Sequence, residues 1–202
     1  MAIGRGQGIG GLAFALAWVR NPRRVGAIAP ASKALAQAVA NEVARVGPEL
    51  LVEIGAGTGA ITQALADAGP PPQRLFVLER DPGLVRHLHQ RFPRAEVHHA
   101  CASRMHLLPL PASESLMLVS SLPLLSMPRE EAQRCVQAMW SLLHSRPQAR
   151  LLQYTYAARH VRPIDPLPPG WHWRRVCTVW ANLPPATVWS LEPTGPAAQH
   201  LH

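Results

Sequence analysis

The sequence predicts an α/β protein built on an open, mostly parallel seven-stranded sheet with helices on both faces. Three patterns predict it. Short apolar runs of strand length alternate with stretches of helical periodicity. The first run leads straight into three glycines at alternate positions. The last two extended runs follow each other without a helix between them, as a closing strand pair. The chain has 202 residues, the size of a single domain, and at 48% hydrophobic it buries a full core, which excludes a disordered tail.

Each element has its own signal. Ser32 caps a helix after Pro30; Leu35, Val39, Val43 and Val46 recur at helical spacing, and Gly47-Pro48 stops it. Residues 50–54 read as a buried parallel strand, and 60–68 return to helical periodicity. After a loop of proline and glycine, 75–78 form a second strand ending in Glu79, and Pro82 opens a helix over 82–92. Residues 95–100 form a third strand and 115–120 a fourth, broken at Leu122-Pro123. Pro128 precedes a helix over 129–143, and 151–156 form a fifth strand. A proline-rich loop over 163–170 leads to two further strands, 173–180 and 187–191, joined through Asn182-Leu183-Pro184-Pro185. The expected divisions are an N-terminal helical segment over 1–31, the main domain over 32–192 and a disordered tail over 193–202. There is no internal repeat.

The formal net charge is +8, and nineteen of the twenty basic residues are Arg. That excess suits an anionic partner, either nucleic acid or an acidic membrane surface. Cys101, Cys135 and Cys177 are odd in number and far apart, which excludes a CxxC metal site, argues against a disulfide framework and suits a reducing cytoplasm. Neighbouring His98 and His99 point to opposite faces of a strand, so they do not build a metal cluster with His106, and no metal is expected. Residues 9–19 are almost all apolar but too few to span a bilayer. Three readings remain for this segment: a signal-like stretch, a helix packed on the domain, or an interfacial anchor. In the last, Leu12, Phe14, Leu16 and Trp18 enter the acyl boundary and Arg20, Arg23 and Arg24 lie at headgroups.

The most informative segment is Val52-Glu53-Ile54-Gly55-Ala56-Gly57-Thr58-Gly59. A strand carrying an acid ends in glycines that let the backbone turn sharply and let a ligand lie against the main chain. The next strand ends in Glu79, twenty residues past Gly59, where a carboxylate accepts both hydroxyls of a ribose. A phosphate-gripping dinucleotide site reads GxGxxG; this one reads GxGxG. The spacing suits a ligand with a ribose and no phosphate, namely S-adenosylmethionine, with Glu53, Gly55, Ala56, Gly57, Thr58, Gly59, Glu79 and Arg80 around it.

With these residues the chain resembles the class I S-adenosylmethionine-dependent methyltransferases, and more closely the bacterial phospholipid N-methyltransferases. The closer resemblance rests on three places: residues 20–32, the glycine motif, and the set Ser120-Ser121-Leu122-Pro123-Leu124-Leu125, Tyr154-Thr155-Tyr156 and residues 179–186. It spans roughly residues 12–191 and implies a Rossmann-like methyltransferase domain. It also implies methyl transfer to the amine of phosphatidylethanolamine, towards phosphatidylcholine, by a monomer on the inner face of the cytoplasmic membrane. An amine attacking a sulfonium methyl needs alignment more than a strong base. Ser120, Ser121, Leu122 and Pro123 lie where the sulfonium is expected. Tyr154 and Tyr156, on one face of the next strand, can hold a methylated ammonium by cation–π attraction.

The sequence departs from the family at three points. The acid usual at the third strand's end is replaced by Ala100-Cys101-Ala102-Ser103, where Ser103 is the remaining acceptor. A glycine before Leu122-Pro123 is replaced by Ser121, and an asparagine near Ser126 is absent. Two rival readings are an RNA adenine methyltransferase and a non-catalytic binding protein of this fold. The loop Ser121-Leu122-Pro123-Leu124 has no ring to stack on a flipped base, which opposes the first. The missing third-strand acid is what favours the second. Arg86, Arg91, Arg94, His87 and His89 read as a solvated face.

Overall fold

In the computed structural model, which describes residues 31–68, 74–156, 160–182 and 184–195, the alternating pattern becomes a regular succession of elements. They are α1 (Lys33–Val46), β1 (Leu50–Ile54), α2 (Ala60–Asp67), β2 (Leu75–Glu79), α3 (Pro82–Arg91), β3 (Glu96–His99), a 3-10 helix (Ala102–Leu107), β4 (Ser115–Ser120), α4 (Arg129–Leu143), β5 (Gln148–Thr155), β6 (Trp171–Val179) and β7 (Ala186–Pro193). The strands form one seven-stranded sheet in the order β3-β2-β1-β4-β5-β7-β6. β1 to β5 are parallel, and β7 runs antiparallel to both β5 and β6. The carboxyl ends of β1 to β6 therefore share one edge, together with the turn that joins β6 to β7.

Both faces are apolar because both are covered. Leu51, Val77, Val119, Leu152 and Val188 pack under Leu35, Val39 and Val43 of α1, Ile61 and Leu65 of α2, and Val85 and Leu88 of α3. On the other face Val52, Ile54, Phe76, Leu78, Leu116 and Leu118 meet Ala138, Met139 and Leu142 of α4, with Trp173 and Trp189. The predicted cap at Ser32 holds, accepting from Leu35 N at 3.2 Å, and the structure adds one at Asp81, which accepts from Leu84 N at 2.8 Å ahead of Pro82.

The boundaries shift where sequence periodicity is weakest. β3 stops at His99, and the chain turns into the 3-10 helix where an extended end was expected. β5 starts at Gln148 and β7 reaches Pro193, so the expected tail begins inside the last strand. Leu12, Phe14, Leu16, Trp18, Arg20, Arg23 and Arg24 lie outside the described residues, as do residues 196–202.

A buried ion network fastens α1 to the closing strands. Glu42, 5% exposed, accepts from Arg45 Nη2 at 2.6 Å and from Arg174 Nη2; Arg174 also donates to Glu192 at 2.7 Å. Burial pushes the Glu42 and Glu192 carboxyls up, but hydrogen bonds from Arg45, Arg174 and Ser190 outweigh it and hold both below the ordinary range. Because the folded-state values are depressed, this stability is present above the ordinary carboxylate range and is lost as pH falls through the depressed values. Glu42→Ala is expected to cost about 1–3 kcal/mol in urea unfolding at pH 7, discounted for the solvent reaching both arginines. The deficit should shrink at acid pH.

Candidate active site

The glycine turn occupies the carboxyl end of β1, and its amides are spent early. Gly55 N and Ala56 N both donate to Leu78 O, at 2.8 and 3.3 Å, and Gly59 N returns to Ala56 O at 3.0 Å. Two glycines are required for different reasons. A Cβ on Gly59 (φ 82°) lies 2.5 Å from the Phe92 ring, so this position is closed by the protein itself. A Cβ on Gly57 (φ 57°) meets nothing within 4 Å. Gly57 therefore fronts open space, and only its backbone conformation is demanded from inside.

Glu79 is preset beside it. Its Oε2 accepts from Gly57 N at 2.8 Å, and its Oε1 accepts from Arg80 N at 2.8 Å and Asp81 N at 3.0 Å. The carboxylate is 7% exposed, and Oε2 keeps a second lone pair. The Arg80 side chain turns away to Glu131, at 2.9 Å. Thr58 is exposed at the tip of the turn, and its carbonyl accepts from Arg91 Nη1 at 3.1 Å. Arg91, expected on a solvated face, thus reaches back to brace the glycine turn.

Glu53 is fully buried, and neither carboxylate oxygen has a hydrogen-bond partner. Burial pushes its carboxyl up to about 7. The Thr62 side chain and amide offset part of this without closing a bond of ordinary geometry, and the Glu79 charge adds to the rise. Glu53 therefore titrates near neutrality beside the glycine turn, because the fold leaves its oxygens without a bond of ordinary geometry.

At the end of β3, Cys101 is exposed, and Ser103 Oγ donates to its sulfur at 3.2 Å, which lowers the thiol's pKa. Ala102 begins the 3-10 helix. The hydroxyl expected to replace the missing acid is thus turned to the neighbouring sulfur.

The loop after β4 is tied down on several sides. Ser121 N donates to Ile54 O at 2.9 Å, which joins it to the glycine turn. Ser120 is fully buried, and its Oγ accepts from Leu122 N at 3.3 Å, so of the two hydroxyls Ser121 is the one near the open side. Leu122 O accepts from Leu124 N and from Gln153 Nε2, at 2.9 and 3.0 Å. Pro123 O accepts from Ser126 N and Met127 N, at 2.9 and 3.0 Å. The carbonyls on either side of the Leu122-Pro123 bond are therefore occupied, and they hold the loop's shape. Tyr154 and Tyr156 meet edge to face, with centroids 5.6 Å apart. Burial pushes both hydroxyls up. The Ser121 and Tyr156 side chains pull the Tyr154 hydroxyl part of the way back, and Asn182 does the same for Tyr156. Asn182 is buried and accepts from Ser32 N at 3.1 Å.

The structure thus gathers Glu53, the glycine turn, Glu79, Ser121 and the tyrosine pair along one edge. Residues 51–146 match the family model of a methyltransferase domain. Over 68 residues the chain is 40% identical to an ornithine lipid N-methyltransferase of Singulisphaera acidiphila, a match that spans 34% of this chain and 35% of that relative. Among solved structures, a methyltransferase of Escherichia coli aligns over 85% of this chain and 91% of its own, with a TM-score of 0.58 at 13% identity. An rRNA methylase of Streptococcus thermophilus aligns over 77% and 94%, with a TM-score of 0.55 at 13% identity. These likenesses show the Rossmann-like class I methyltransferase fold.

The methyl donor of such a domain is S-adenosylmethionine. The donor set here fits that molecule. Open space in front of Gly57 admits a ligand against the backbone, a preset carboxylate offers a lone pair to vicinal hydroxyls, and the unpartnered Glu53 complements a cationic end. Glu79→Ala is expected to weaken S-adenosylmethionine binding by about 1.5–3 kcal/mol in calorimetry. Gly57→Val should abolish it.

Glu53 adds a pH signature. Its folded-state pKa is raised above the unfolded one, so the ligand-free fold loses stability as pH climbs from about 4.5 to about 7. The loss is on the order of 3 kcal/mol at 1.36 kcal/mol per unit. Thermal melts of Glu53→Gln without ligand should show that slope flattened.

Proposed function

We propose that the chain is an S-adenosylmethionine-dependent N-methyltransferase acting on a primary amine of a membrane lipid. Phosphatidylethanolamine is the acceptor, and methylation proceeds towards phosphatidylcholine. The observation that carries this reading is the acceptor corner: Tyr154 packed edge to face on Tyr156, Ser121 beside them, and no aromatic ring in residues 121–124. Phenol faces attract an alkylated ammonium. An edge-to-face pair offers no parallel slot for a nucleobase. A relative that methylates a lipid amine, by its name, supports the same acceptor class over the aligned third of the chain.

In this reading Glu79 and the 55–59 turn hold the nucleoside part, Cys101-Ala102-Ser103 lie beside the base, and Glu53 faces the amino-acid end. The bound cofactor supplies a methyl group on a sulfonium. The chain's residues align the acceptor: Gln153 fixes Leu122 O, the β1 carbonyl of Ile54 fixes Ser121 N, and the Ser121 hydroxyl is left near the incoming amine. The nitrogen attacks as the free amine; the carbon–nitrogen bond forms as the carbon–sulfur bond breaks, and the proton goes to solvent.

Residues 1–31 would meet the anionic leaflet, with Leu12, Phe14, Leu16 and Trp18 inserted and Arg20, Arg23 and Arg24 at headgroups. Ser32, which follows that segment, donates its backbone N–H to Asn182 Oδ1 at the same edge. Among the described residues no helix is long and apolar enough to cross a membrane.

Phosphatidylethanolamine vesicles, ornithine-lipid vesicles and ribosomal RNA, each given labelled cofactor, test the proposal. Label should enter phosphatidylethanolamine most rapidly; label in RNA alone would sink it. The maximal rate should rise with pH towards the amine's own pKa, while a limb near pH 7 in the cofactor's KM should vanish in Glu53→Gln.

A further inference from the structure

We infer that the carboxyl edge of the sheet is itself a bilayer-seating surface, with Trp180 and Leu125 as its two insertion points. Three large apolar side chains stand out as exposed among the described residues: Leu107 at 70%, Trp180 at 65% and Leu125 at 50%. Topology sorts them. Leu125 lies in the loop that follows β4, and Trp180 follows β6 directly. β4 and β6 run parallel, so both side chains are carried by loops of one edge. Between them in the sheet lie β5 and β7, three strand spacings or about 14 Å in all. The tip of β5 bears the Tyr154–Tyr156 pair. The two apolar projections therefore bracket the acceptor corner. Leu107 closes the 3-10 helix that leads the chain away from that edge towards the start of β4.

The occupant that fits is the interface of a lipid bilayer. Tryptophan is favoured at the headgroup level, where its ring is apolar and its N–H stays wet. Arg129, exposed at the start of α4, Arg162, exposed on the loop leaving β5, and the net charge of +8 suit an anionic leaflet, with Glu130 and Asp165 the opposing charges on the same segments. Asn182, two residues past Trp180, holds the backbone at Ser32, so residues 1–31 join the fold beside this surface. The inference rests on the lipid-amine reading for its purpose. Seating the edge places the acceptor corner over the headgroups, so a lipid amine reaches Ser121 without leaving the bilayer.

The test is co-sedimentation of the full chain with vesicles of three parts phosphatidylcholine to one part phosphatidylglycerol, which contain no acceptor amine. The double variant L125S/W180S should bind about tenfold or more weakly, since each lost insertion removes a buried apolar side chain. L107S should bind like wild type. Unchanged binding by L125S/W180S would falsify the inference. So would a wild-type dimer that the double variant dissolves, which would assign the patch to a second copy. A second readout uses water-soluble dibutyroyl phosphatidylethanolamine: the double variant should methylate it at the wild-type rate and lose activity only on vesicles. Equal losses on both overturn seating. If wild type binds vesicles through these residues but methylates no lipid, the surface stands and the lipid-amine reading falls.

Discussion

One carboxylate holds the front of the site together. Glu79 ends β2, yet it accepts from the turn after β1 and from the two amides that follow it, so two neighbouring strand ends and the glycine turn share a single anchor. Without it the turn at Gly57 loses its restraint on the open side, since nothing packs in front of that residue. On the far side Phe92 closes against Gly59, and Arg91 reaches Thr58 O. The opening that remains is shaped by backbone rather than by side chains. Main-chain donors have little freedom to reorganise, so the site is formed before anything enters it.

Behind this front lies an unusual electrostatic choice. Glu53 is buried without a partner and Glu79 adds to its discomfort, so the fold carries a carboxyl that ionises fully only above neutrality. A core that tolerates such a group trades stability for readiness to accept a cation. The acceptor corner makes the opposite choice. Ser121, Tyr154, Tyr156 and Asn182 form a chain of neutral groups in which burial keeps the phenols protonated. Charge is kept for the cofactor side and polarity without charge for the acceptor side.

The fold was legible in the sequence because its strands are buried on both faces and read as continuous apolar runs, and because Ser32, Gly47 and Pro82 mark helix ends. Glu79 and the glycine turn were legible by spacing. Gln153, Asn182 and Arg91 were not. Each acts on residues far away in the chain, on Leu122, Ser32 and Thr58, and spacing along one segment carries no trace of such pairs. Gln153 had a faint signal, a polar residue at an inward position of an apolar strand. The Ser120 hydroxyl, at the end of β4, is turned to Leu122 N, a rotation that spacing along the chain does not give. The turn into the 3-10 helix after β3 was missed because residues 100–103 fit an extended end equally well.

The antiparallel strand has a consequence for how the molecule is made. Among the described residues β7 is the last strand in sequence but not the last in the sheet; it lies between β5 and β6 and is buried along most of its length. Until β7 has been made, β5 presents an open, apolar rim and β6 has nothing to pair with. A nascent chain in that state resembles an unprotected sheet edge. Any folding order that delays β7 therefore leaves the middle of the sheet, and not only its margin, open to pairing with other chains.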